Sequence, residues 1–170
     1  MPTWTAGQRV LASQLQQITT YTQFWADPPM FSMHQTSTQT IGNTVYTQIT
    51  MDTSDWDTES GRAVGNPYSY TIPSGMSGRW QFTFKIGWAT NAVGNRLGAL
   101  FKNGSIVQNG EVGYLAPGAA NNPEYGTTLT VPCSAGDVMS VWGYQGSGGA
   151  LTTQTLDSFF EGRFVSLANP

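Results

Sequence analysis

Trp80, Phe82, Phe84, Ile86 and Trp88 occupy alternate positions of one uninterrupted run, with Gln81, Thr83, Lys85 and Gly87 between them. Side chains on an extended chain point alternately to opposite faces, so this run is a β-strand with one apolar and one polar face. A helix would scatter the same side chains around its circumference. Indole and phenyl rings lined up on one face need a second layer to cover them, so the chain must build a sandwich or a barrel.

From Met30 onward the pattern repeats in shorter pieces. Phe31 to His34, Val45 to Met51, Tyr68 to Ile72, Arg96 to Phe101, Ile106-Val107, Val112 to Leu115, Thr127 to Val131, Asp137 to Tyr144 and Ser158 to Leu167 all read as strands. Pro73-Ser74-Gly75 and Asn103-Gly104 separate them as turns. A Pro/Gly/Asn-rich loop runs from Ala116 to Glu124. No strand–helix–strand alternation occurs. Residues 29–170 are expected to form one all-β antiparallel sandwich of eight to ten strands.

The first 28 residues follow another period. Leu11, Leu15, Ile18 and Trp25 fall at helical spacing, with Val10, Tyr21 and Phe24 beside them. The pattern predicts a helix over about 12–26, with Ser13 and Gln16 as a capping box and Pro28-Pro29 as its stop. Its apolar face is wide and its polar positions carry no charge pairs, which suits docking better than solvation. Residues 1–28 are therefore expected to be an anchoring arm, gripping through Trp4, Val10, Leu11, Leu15, Ile18, Phe24 and Trp25.

Composition excludes several classes. Only 10% of the 170 residues are charged and the formal net charge is -3, against roughly 25% charged in an ordinary domain. The seven Lys and Arg are scattered singly, so no nucleic-acid stripe exists. The 39% hydrophobic and 12% aromatic content argues against disorder. The lone Cys133 rules out an internal disulfide and reads as a small buried hydrophobe. No apolar run is long enough for a membrane span. Met1 to Thr5 lack the basic and apolar regions of a signal peptide, so synthesis in a cytoplasm without export is the expectation.

Catalytic chemistry is thinly represented. His34 is the one histidine and reads as a strand residue bonded to a neighbour. Gly75-Met76-Ser77-Gly78 is one residue short of a nucleophile elbow. Asp52, Asp55, Asp57 and Glu59 cluster, but Gly61 falls one place late for a calcium loop. Glu111 and Glu124 are the pair a glycosidase would need, with nothing fixing their separation. No enzyme activity, cofactor or metal is expected. Trp56, between Asp55 and Asp57, is a candidate sugar contact together with the loops at 116–124 and 146–149.

Four segments resemble one known family. Tyr70-Thr71-Ile72-Pro73-Ser74-Gly75 leading into Arg79-Trp80-Gln81-Phe82 is similar to a turn and strand of the complement globular heads. Gly94-Asn95-Arg96 followed by Phe101-Lys102-Asn103-Gly104 resembles that family's next hairpin. Ser134-Ala135-Gly136-Asp137-Val138 with Val141 resembles a following strand, and Ser158-Phe159-Phe160-Glu161-Gly162 the C-terminal one. The resemblance spans residues ~30–167 and implies the antiparallel jelly roll of the tumour-necrosis-factor and complement-head superfamily, usually a homotrimer. It places the first and last strands near the trimer axis, with Phe31, Met33, Phe159 and Arg163 as interface candidates. The arm resembles the starts of small virion proteins of actinobacterial phages, through Trp4-Thr5-Ala6-Gly7 and Val10-Leu11-Ala12-Ser13-Gln14-Leu15.

Together these imply a structural phage virion protein: a trimeric capsid-decoration or head-surface protein whose arm binds the major capsid protein or another virion protein. The alternative is a glycan-binding trimer at a tail-fibre tip. Neither reading involves nucleic acid or a membrane as partner.

Overall fold

A computed structural model of the chain describes Arg9 and residues 11–62, 68–115 and 124–167. Helix α1 spans Ala12–Ala26, the predicted extent. Among the described residues eleven strands follow: β1 (Met30–His34), β2 (Thr40–Ile41), β3 (Thr47–Gln48), β4 (Thr53–Asp57), β5 (Ser69–Thr71), β6 (Gly78–Trp88), β7 (Asn95–Lys102), β8 (Ser105–Leu115), β9 (Glu124–Cys133), β10 (Val138–Gln145) and β11 (Leu151–Leu167).

All pairings are antiparallel. One sheet has the order β4-β1-β11-β6-β9, with β2 on the start of β11; the other has β3-β10-β7-β8, with β5 on β10. The first and last strands of the fold, β1 and β11, thus lie side by side at the centre of one sheet, and the connections cross between sheets as in a jelly roll. The all-β jelly-roll expectation holds, with more strands than the eight to ten read from the sequence. Two of those read separately, around Ile106 and Val112, are one continuous β8. The segment read as a strand from Val45 to Met51 pairs only at Thr47–Gln48, while the acidic stretch at Thr53–Asp57 is a strand.

The core lies between the sheets. Trp80, Phe82, Phe84, Ile86 and Trp88 are fully buried, facing Leu100, Met139, Val141, Ile49 and Met51. Phe160 and Phe164 join them from β11. Between those two rings the strand carries Gly162, where a Cβ would meet the Phe31 ring at 2.3 Å. Phe31 and Met33 are themselves core residues, 2% and 1% exposed. They point into the sandwich, so their expected place at a subunit interface is corrected: no surface of either remains for a partner. Cys133 is buried as expected, and burial pushes its thiol up to about 12.

Local chemistry explains the turns. Asn103 and Gly104 both adopt positive φ, 52° and 80°, as the hairpin signal requires. The Asn103 amide donates to Asp137 at 2.7 Å, and its carbonyl oxygen accepts the Val138 N–H at 2.8 Å. Asp137 also accepts the Ser134 N–H at 2.8 Å. Two of the segments that resemble the complement heads are therefore one hydrogen-bonded unit. At the helix start, Gln14 accepts the Leu11 N–H at 3.0 Å. The capping interaction belongs to Leu11 and Gln14, because Ser13 already lies inside the first turn.

Replacing Gly162 by Ala should lower stability by about 1–3 kcal/mol, the usual cost of overpacking a filled core. Urea denaturation will read this as a lower midpoint at unchanged slope.

Candidate functional site

The outward face of the β4-β1-β11-β6-β9 sheet carries a continuous polar array. Cross-strand register puts Trp56, Ser32, Glu161, Thr83 and Thr128 in one row across all five strands. The adjacent row on one side holds Met30, Arg163, Gln81 and Thr130; the row on the other holds His34, Phe159 and Lys85. A groove of about 490 Å3 runs over the first two rows, bordered by Trp56, Arg163, Gln81, Thr83 and Glu161.

A bulge in β4 shapes one end of this array. The register shifts between Ser32 and Met33, leaving Asp55 as the extra residue. Its carboxylate accepts the Ser32 hydroxyl at 2.9 Å and lies 3.0 Å from His34 Nδ1. Ser32 and His34 both turn to Asp55 and not to each other, so the imidazole is not placed to take the serine proton. At the other end Lys85 donates to Glu124 at 2.9 Å, lies 3.5 Å from Asp157 and sits 5.9 Å above the Phe159 ring. The hydrogen bond to Glu124 holds this ammonium above the ordinary lysine value, with Asp157 adding to it. Arg163 donates from Nε to Gln81 at 2.9 Å and pairs with no carboxylate among the described residues.

Of the residues singled out from the sequence, Arg163, Phe159 and Trp56 come together on this face. Arg163 is exposed, Phe159 half-buried, and Trp56 is 49% exposed at the groove wall. The Gly146–Gly149 turn does not join Trp56. Asn95, Asn43 and Gln145 hold it at the β10–β11 connection, which corrects the grouping of that loop with Trp56. Residues 116–123 lie outside the described residues. Glu111 and Glu124 are separated: Glu124 pairs with Lys85 on this face, while Glu111 accepts the Tyr46 hydroxyl on the other sheet.

The acidic stretch has local tasks. Asp52 accepts the Thr36 N–H at 2.6 Å, the Thr36 hydroxyl at 2.9 Å and the Ser37 N–H at 3.1 Å. Asp57 accepts the N–H groups of Gly61 and Arg62 at 3.2 and 2.9 Å. Among the described residues no group of three or more His, Cys, Asp or Glu is arranged to hold a metal.

The sequence gives no signal for Leu156. Between Gln154 and Phe159 the β11 register slips past Lys85–Gly87 of β6, and the extra residues fold over Gly87. A Cβ on Gly87 would meet Asp157 Cβ at 2.5 Å. Ser158 locks the bump by accepting the Gly87 N–H at 3.2 Å and donating to the Gln154 carbonyl at 2.8 Å. Leu156 is 96% exposed. An insertion of this kind breaks the period of two on which strand reading depends.

In the arm, Leu11, Leu15 and Ile18 are 58%, 55% and 40% exposed. Phe24 is different: its ring meets Phe164 edge-on at 4.9 Å, tying the helix to its own domain. That corrects its expected role as a free anchor, since its apolar surface is used internally. Trp4, Val10 and the Trp25 side chain lie outside the described residues. No described helix is long and apolar enough to cross a membrane.

No protein-family model matches the chain, and no curated protein does. Solved structures do. The chain is similar to the Eiger TNF of S. frugiperda, with TM-score 0.64 and 10% identity over 85% of this chain and 97% of that one. It is similar to the globular domain of zebrafish complement 1qA protein, with TM-score 0.56 and 13% identity over 82% and 98%. It is also similar to the PRD1 vertex protein P5, with TM-score 0.61 and 17% identity over 82% and 98%. The fold is thus a jelly roll of the tumour-necrosis-factor and complement-head type.

Burial raises the Asp52 pKa, but the hydrogen bonds from Thr36 and Ser37 outweigh it and hold the carboxyl below its ordinary value. A depressed folded-state pKa stabilises the fold above the unfolded value, about 3.9, and the contribution is lost as pH falls through the folded one. Stability should therefore fall as pH drops below about 4. Asp52→Asn should show a smaller loss between pH 5 and pH 3 in urea denaturation.

Proposed function

We propose that this chain is a trimeric structural protein of a phage particle, decorating the capsid or head surface and docking through its N-terminal arm. The observation that carries this reading is the helix. Leu11, Leu15 and Ile18 stand out from the body at spacings of four and three, and no charged residue lies between Ala12 and Ala26. Phe24 fixes the base of that helix on Phe164, so the stripe is presented outward. The likeness to the PRD1 vertex protein P5 supports a virion setting.

Self-association has its own support. β8 and β9 end their sheets as long edge strands, and such edges are normally shielded or covered. The face described above offers Arg163 without a carboxylate, half-buried Phe159 and exposed Leu156 as cover for a second copy. Three copies close with threefold symmetry and leave no open edge to propagate. A trimer also multiplies a weak arm contact into a stable one, tying neighbouring capsomers together. In this reading the major capsid protein or another virion protein receives the arm.

A second reading rests on Trp56. Its indole borders a groove with Gln81, Thr83 and Glu161, a set suited to a sugar at a tail-fibre tip. The same groove holds Arg163, so a copy packed there and a glycan bound there exclude each other. Glycan binding lost in Trp56→Ala, with oligomeric state unchanged, would favour this reading.

Serine at Leu11, Leu15 and Ile18 together, in the full chain, should leave light scattering at the mass of three 18.4 kDa chains. Cosedimentation with particles assembled without the protein should fall by about tenfold or more. Unchanged occupancy on the particles overturns the arm; a monomer in the unmodified protein overturns the trimer.

A further inference from the structure

The outward face of the β3-β10-β7-β8 sheet carries a second, unrelated feature. The Tyr46 ring lies beside that of Tyr144, and register places Trp142 beside Ala99. Phe101 is 8% exposed and stacks on Trp142 with centroids 4.7 Å apart and planes 24° apart. Trp142 is half-buried, with one face of its indole on Phe101. The Trp142 N–H donates to Ser140 Oγ at 2.9 Å, which fixes the plane of the indole.

Tyr46 lies across the same face. It starts at β3, yet its hydroxyl donates to Glu111 on the far edge strand β8. Its ring passes 5.1 Å from Tyr144 and 5.8 Å from Phe101. Ala99, beneath this path, is fully buried although it points outward. Burial and the Glu111 carboxylate push the Tyr46 hydroxyl well above the ordinary tyrosine value, so it stays protonated and bonded. The hydrogen bonds of Trp142 and Tyr46 therefore fix these two rings, with Tyr46 tilted 46° to Tyr144 and 59° to Phe101.

We propose that this aromatic platform binds an uncharged carbohydrate, with Trp142 and Tyr144 as stacking surfaces and Glu111 as a hydroxyl acceptor. The negative π-face of an aromatic ring attracts the partly positive C–H groups that line one face of a pyranose. Pre-oriented rings lower the ordering cost of binding. Glu111 is the one charged side chain that the register places on this face among the described residues. A platform without cations disfavours anionic polymers, and a sugar needs the hydroxyl acceptor that Glu111 provides. This surface is on the opposite sheet from Trp56 and from the face assigned to subunit contact, and Trp142 and Tyr144 stand on β10, inside the sheet and not on its β8 edge.

The test is titration of the full-length protein with uncharged gluco-, galacto-, manno- and N-acetylhexosamine oligosaccharides, followed by tryptophan fluorescence and calorimetry. Trp142→Ala should weaken binding about tenfold or more, Trp142→Phe should keep much of it, and Trp56→Ala should leave it unchanged. Denaturation midpoints report whether Trp142→Ala remains folded; if it does not, Glu111→Gln serves in its place, with the same direction expected. Binding of none of these oligosaccharides, or binding that depends on Trp56 and not on Trp142 or Glu111, overturns the proposal.

Discussion

Phe31 and Tyr70 lie face to face where the two sheets meet, with ring centroids 3.7 Å apart and planes 14° apart. Phe31 comes from β1 and Tyr70 from β5, so this stack joins one sheet to the other. Two glycines are moulded around it. A Cβ on Gly162 would strike the Phe31 ring, and one on Gly61 would strike the Tyr70 ring, each at 2.3 Å. The Thr71 N–H then donates to the Gly61 carbonyl at 2.8 Å, drawing the β4–β5 connection against the stack. Phe82 and Phe160 pack on Phe31, and Trp80 on Tyr70. Rings of this size, buried together, dominate the energetics of a core this small.

The core also frees the outer faces. Because the apolar load is carried inside by alternate residues of β6 and β11, the intervening residues remain available for surface work. Gln81, Thr83 and Lys85 alternate with Phe82, Phe84 and Ile86; Glu161 and Arg163 alternate with Phe160, Gly162 and Phe164. One strand thus contributes to the core and to the outward polar face at once. The same logic gives the second sheet its aromatic platform, since Trp142 and Tyr144 alternate with Val141 and Gly143. The charge-poor composition fits the two contact faces and the docking arm proposed for the chain.

Much of this was legible in the sequence. The alternation at Trp80 to Trp88, the helix over Ala12–Ala26 and the Asn103-Gly104 hairpin are local properties, and each appears where the period or the turn chemistry puts it. The jelly-roll type was legible from the order of four turn-and-strand segments. Trp56 and Arg163 were picked out for different uses, and nothing local says that they border one groove. The expectation for Phe31 and Met33 failed because alternation does not say which face of a short strand turns inward. Phe24 failed similarly: helical spacing marks it as apolar but not what it packs against.

What the sequence by itself determined is the repertoire: one short helix, many antiparallel strands, an aromatic core and a surface poor in charge. These follow from side-chain period, turn residues and composition, all of which act over a few neighbours. Tertiary structure alone decided adjacency. The row from Trp56 to Thr128 exists because β4, β1, β11, β6 and β9 align in one register. Asp55 reaches His34 and Leu156 stands clear of the sheet because bulges shift that register locally. Tyr46 meets Glu111 from 65 positions away in the chain. Such contacts depend on how strands far apart in sequence pair, and no window of neighbouring residues contains that information.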